Sequence, residues 1–184
     1  VNILNKIQLI KDKKIRNFRK KFYNIKEYEE NTLLNETKLF CEWYVPKKLN
    51  KNKVNIFNKK FNKETKLLLS KLNFRNDTFV HRDFHVSNLI INSKQQIGLI
   101  DNQDALIGNK AYDLASLIDD VRFKTSILLK DKVYKYYLKT NKSINAGKFK
   151  NDFDILSVIR ILKIIGIFMR LAERDKKRKY LNII

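Results

Sequence analysis

His81-Arg82-Asp83-Phe84-His85-Val86-Ser87-Asn88 is followed directly by Leu89-Ile90-Ile91 and, past a polar turn over 92–96, by Ile97-Gly98-Leu99-Ile100-Asp101. The reading of this stretch decides the fold. Two short apolar runs around a polar turn predict a β-hairpin. Thr78-Phe79-Val80, just upstream, reads as another short strand. The spacing therefore predicts a loop leaving one strand, a hairpin after it, and Asp101 at the hairpin's far end.

The polar residues of this stretch have a chemical logic. H-R-D-x-x-x-x-N, as found over His81 to Asn88, is a catalytic-loop pattern of kinases. A loop after a short strand can hold Asp83 where it accepts the proton of a substrate hydroxyl. Asn88, five residues on, can turn a neutral oxygen towards a magnesium ion, and Asp101 can add an anionic one from the neighbouring strand end. Phosphoryl transfer asks little covalent chemistry of a protein. It asks for an aligned nucleophile and for neutralised phosphate charge. Any one of these residues alone would be weak evidence. The octapeptide, the strand context and the second Asp together are specific.

Outward from the hairpin, the pattern is helical. Glu27 to Val45 carries Leu33, Leu34, Leu39, Phe40 and Trp43 near helical spacing, with Pro46 as its stop. Residues 47–62 read as a Lys/Asn-rich surface stretch, and residues 63–73 as a helix. Asn109 is placed to cap a helix over 110–121. Two further helices are predicted over 125–139 and 152–174. The last is apolar on most sides, but Arg160, Lys163 and Arg170 interrupt it, so it reads as a core helix and not a membrane span. Trp43, Leu114, Leu117, Ile161, Ile165 and Phe168 are the expected core. The fold class expected is α+β and mostly helical, with the small hairpin carrying the chemistry.

His81 to Asn88 resembles the catalytic loop of the aminoglycoside phosphotransferase and choline kinase superfamily, commonly written H-G-D-x-H-x-x-N. Residues 39–44 (LFCEWY), 100–106 (IDNQDAL), 108–117 (GNKAYDLASL) and 162–174 (LKIIGIFMRLAER) are similar to one branch of it. That branch is the bacterial sugar kinases that phosphorylate N-acetylmuramate and N-acetylglucosamine at the anomeric position. The resemblance implies a kinase-like C-terminal lobe using ATP and Mg2+ on a small amino sugar. It implies Asp83 as catalytic base and Asn88 and Asp101 as magnesium ligands. Asp113, His81 and His85 become loop supports; for His85 this agrees with the preference of magnesium for oxygen. Gln103 and Asp104, just past Asp101, are candidates to face the substrate, though Asp104 reads equally as a solvated turn residue. Arg82 stands where the superfamily commonly has Gly but suits the sugar-kinase branch, and Asn102 stands where an aromatic is usual.

No G-x-G-x-x-G loop and no V-A-I-K-like strand occurs in the chain. It begins with Val1, and its one methionine is Met169. Residues 1–184 are therefore expected to form a partial phosphotransferase domain, the catalytic lobe without its ATP-gripping partner, and to be inactive alone. Only eight residues separate Asp101 from the expected helix start near Lys110, and there is no A-P-E. That leaves no room for a peptide-docking segment and favours a small-molecule acceptor. An aminoglycoside or another small molecule remains an alternative acceptor.

Composition bounds the other classes. The net charge of +21 invites a nucleic-acid-binding module as the competing reading. Yet 31 of the 40 basic residues are Lys and only 9 are Arg, with 21 Asn and 5 Ala. This is the bias of A/T-rich codons, and it lacks the Arg that base recognition favours. Between residues 81 and 123 six acids face four bases, an acidic island better suited to a metal than to a phosphate backbone. One cysteine excludes a disulfide scaffold and suits a reducing cytoplasm. No membrane partner is expected.

Overall fold

The computed structural model describes residues 1–16 and 19–184. It is a mixture of helices and small two-stranded sheets, an α+β arrangement. The chain divides into two compact units. One comprises Val1–Glu29 with Asn73–Phe153, the other Glu30–Leu72 with Asp154–Ile184.

In the first unit, α1 spans Asn2–Gln8, and an exposed hairpin joins β1, Lys14–Arg16, to β2, Phe22–Asn24. Neither was legible in the Lys-rich start of the chain. The next strand, β3, Thr78–Val80, has alternating burial, and Val80 is wholly buried. The hairpin follows as β4, Leu89–Ile91, and β5, Ile97–Leu99, with Leu89 opposite Leu99. Asn92 shapes its turn, its Oδ1 accepting from the backbone N–H groups of Lys94 and Gln96. A sixth strand, β6, Leu106–Gly108, pairs antiparallel with β3, Phe79 opposite Ile107. Residues 26–28 run beside β6: Ile107 N–H donates to Lys26 O and Tyr28 N–H to Ile107 O, both at 2.8 Å.

Helix α4, Ala111–Ile118, follows β6, and Asn109 Oδ1 accepts the Ala111 N–H at 3.0 Å. Helix α5, Ile127–Thr140, starts on the Ser126 side-chain cap. The first part of α6, Ala146–Glu173, completes this unit. It begins earlier than the apolar pattern indicated, because Asn145 Oδ1 accepts the Lys148 N–H there. A buried carboxylate ties these pieces together. Asp152 accepts from Asn73 N and Nδ2, Phe74 N, Asn109 Nδ2 and Asn151 Nδ2. Burial opposes its charge, but these bonds outweigh it and hold its pKa below the ordinary carboxylate value.

In the second unit, α2 covers Glu30–Leu39, and the chain then widens into a π-helical turn, Phe40–Tyr44, and tightens into a 3-10 turn, Val45–Lys47. The single helix expected up to Pro46 is thus three pieces. Pro46 opens the 3-10 turn, where a missing N–H costs nothing. Gly166 of α6 explains the close packing at the junction. A Cβ there would overlap the Leu39 carbonyl carbon and the Phe40 nitrogen.

The Lys/Asn-rich surface stretch over 47–62 is helical from Lys51 onward. Helix α3 runs Lys51–Leu69, capped by Asn50 Oδ1 on the Lys53 N–H at 3.1 Å. Val54, Phe57, Phe61 and Thr65 recur at helical spacing on its inner face, and Phe40, Phe57 and Phe61 stack. The Lys residues of this helix, with Asn52 and Asn55, lie on the exposed face, while Asn58 and Asn62 are half-buried. Cys41 is buried, and burial with Glu42 beside it pushes the thiol up to about 11. Of the expected core, Leu114 and Phe168 are buried, at 0% and 3% exposure, whereas Trp43, Leu117, Ile161 and Ile165 are half-buried. Helices with apolar side chains on several faces bury only some of them fully. No helix among the described residues is long and apolar enough to cross a membrane.

Candidate functional site

Val80 ends β3, and the backbone turns sharply at Arg82, whose φ of +74° lies in the left-handed region. A side chain there costs about 1–2 kcal/mol relative to the right-handed form. The conformation is held by Asp113 on α4, which is fully buried. Its two carboxylate oxygens accept the His81 N–H at 2.7 Å and the Arg82 N–H at 3.0 Å. A buried acid that receives two backbone donors is satisfied as an anion, and it pins the loop to the helix.

Asp83 follows. Its carbonyl accepts from His85 N–H at 3.0 Å and from Asn88 Nδ2 at 2.9 Å. The backbone is thus locked, and the half-exposed carboxylate has no hydrogen-bond partner among the described residues. His85 is buried at the start of a 3-10 turn, Val86–Asn88, and its carbonyl accepts the Asn88 N–H. Since Asn88 spends its Nδ2 on Asp83 O, its remaining polar atom is the side-chain oxygen.

Two bonds bring the hairpin's far end to this loop. Ile100 N–H donates to Asn88 O at 3.1 Å, and His81 Nε2 donates to Ile100 O at 3.0 Å. His81 is fully buried, which drives its pKa below the usual value, against the pull of the nearby Asp83 and Asp101 carboxylates. The neutral Nε2–H form suits the bond to a carbonyl.

Asp101 also has a left-handed backbone, φ +68°. Gln103 Nε2 donates to its Oδ1, so the Gln103 amide is turned back onto Asp101. Asn102 O accepts the Ala105 N–H, closing a turn over 102–105, and the exposed Asp104 gives its carbonyl to Arg82 Nη1 at 3.1 Å. The sequence pattern did not single out a role for the Arg82 side chain. The signal available was a bulky cation at a position commonly occupied by glycine.

The donor set that Asn88 and Asp101 could offer is all oxygen, one neutral and one anionic, which fits magnesium. No three His, Cys, Asp or Glu side chains among the described residues form a metal cage. Such a site fits an ion held mainly by substrate phosphates, the usual manner for magnesium.

The model of the phosphotransferase enzyme family matches residues 17–144. An N-acetylmuramate/N-acetylglucosamine kinase of Neisseria meningitidis is 36% identical over 164 residues, covering 84% of this chain and 48% of that protein. Kinases of the same name from Pseudomonas aeruginosa and Caulobacter vibrioides are 32% and 33% identical. The first covers 84% of this chain and 47% of its own length, the second 58% and 30%. The chain spans about half the length, or less, of the curated relatives it matches.

Proposed function

This chain belongs to the phosphotransferase enzyme family, and on that premise we propose that it supplies the catalytic lobe of an ATP-dependent amino-sugar kinase. The acceptor proposed is N-acetylmuramate or N-acetylglucosamine, the sugars in the names of its relatives. The observation that carries the reading is the pair of bonds from Ile100 to Asn88 and His81, which sets Asp101 beside the loop of Asp83.

Asp83 takes the proton from the attacking sugar hydroxyl as its oxygen bonds to the γ-phosphorus. The bond from that phosphorus to the bridging oxygen of ADP breaks, and ADP leaves with the electron pair. Asn88 and Asp101 would hold magnesium, which supplies charge neutralisation for the phosphates when bound. His81, His85 and Asp113 keep the loop in shape. Gln103 orients the Asp101 carboxylate, and Asp104 lies on the turn that meets the acceptor.

The test is ADP release by the intact gene product with a panel of amino sugars and aminoglycosides. A sugar phosphate that mild acid hydrolyses is the expected product, since anomeric phosphates are acid-labile and ordinary phosphate esters are not. Turnover with aminoglycosides and none with amino sugars would overturn the acceptor assignment.

A further inference from the structure

Arg82 keeps a long side chain on a backbone that glycine would adopt freely. Its side chain lies along a definite path. The guanidinium carbon sits 5.2 Å from the centre of the Tyr28 ring, while Nη1 donates to Asp104 O. Tyr28 is a firm platform, 2% exposed, bonded through its N–H to Ile107 and through its hydroxyl to the Tyr112 oxygen at 3.1 Å. The Arg82 backbone is fixed at the other end by Asp113. Arg82 therefore reaches from the loop of Asp83 to the turn over 102–105. The other hydrogen bonds of that turn among the described residues, Ala105 to Asn102 and Gln103 to Asp101, are local.

We propose that Arg82 is a positioning residue that rivets the 102–105 turn to the catalytic loop and thereby sets the affinity of the site for its acceptor. The acceptor half of this statement rests on the kinase reading above; the rivet itself does not.

Arg82→Gly tests both. It removes the tie and relaxes the left-handed backbone at once, so folding is kept. Exchange of the Ala105 amide, the one in the turn that is hydrogen-bonded, is expected to quicken by about thirtyfold or more, the scale of one charged hydrogen bond plus one cation–π contact, with the Asn88 amide unchanged. In the intact gene product the acceptor KM should rise by about tenfold, with the ATP KM within about twofold. Arg82→Lys should fall between, since an ammonium keeps the charge but is more strongly hydrated and has no guanidinium to share between the Tyr28 ring and Asp104 O. Unchanged exchange in the turn would overturn the rivet. Faster exchange with an unmoved acceptor KM, or an equal rise in the ATP KM, would overturn its role in acceptor binding. If the wild-type gene product turns over no sugar, the kinase reading falls, and the exchange pattern alone upholds or overturns the rivet.

Discussion

At the scale of single residues, Asp83 and Asp101 should fail differently. Asp83→Asn keeps shape and removes the proton acceptor, so magnesium-ATP binding should survive while kcat drops by roughly 10²–10⁴. Asp101→Asn removes an anionic ligand, so ATP affinity should lose its magnesium dependence along with turnover. Calorimetry with and without magnesium, beside ADP release, separates the two; equal loss of magnesium-ATP binding in both would mean that base and ligand are confused. His81 gives a pH prediction. Its folded-state pKa is depressed by burial, so the unfolded chain takes the proton more readily. Its contribution is complete above about pH 6.5 and is lost as pH falls through that value towards the folded pKa. His81→Gln keeps a donor for Ile100 O and cannot titrate. The urea midpoint should therefore drop less between pH 7.5 and pH 5.5 in the variant than in the wild type, as followed by circular dichroism.

At the scale of elements, the α2–π–3-10 succession and α6 meet through Gly166. Gly166→Ala sets a methyl group against backbone atoms of Leu39 and Phe40, which cannot rotate away as a side chain would. The expected cost is at least the 1–3 kcal/mol of ordinary overpacking, a fall of about 0.5–1 M in the urea midpoint. An unchanged midpoint would show that α2 and α6 can part locally without penalty. The same elements mark where the sequence was hard to read. Pro46 was a fair stop signal, but it opens a 3-10 turn. Helix α3 is hard to read because Lys crowds its outer face and the half-buried Asn58 and Asn62 interrupt the apolar spacing of Val54, Phe57 and Phe61.

At the scale of the whole molecule, the charge of +21 rests mostly on Lys and avoids the stretch from His81 to Phe123. A duplex DNA probe should bind only through salt-sensitive contacts, no tighter than about micromolar near 0.15 M salt, the range of non-specific association. Fluorescence anisotropy across a salt series reads this. Nanomolar binding that ignores both salt and magnesium would overturn it and favour a binding module over a phosphotransferase.

The sequence by itself determined the parts whose rules are local. The hairpin from Leu89 to Leu99 follows from two apolar runs and one Asn-led turn, and the strand at Thr78–Val80 is legible from its own short apolar run. The tertiary structure decided what depends on partners distant in the chain. Strand β6 exists because Leu106–Gly108 finds β3, and no alternation within three residues could announce that. The Asp152 cluster draws donors from residues 73, 74 and 109, which only folding brings together. The path of the Arg82 side chain is set by Tyr28 and Asp104, both distant from it in the chain. Periodicity reports which face of an element is buried, but the contacts that hold a strained residue in place come from the rest of the chain.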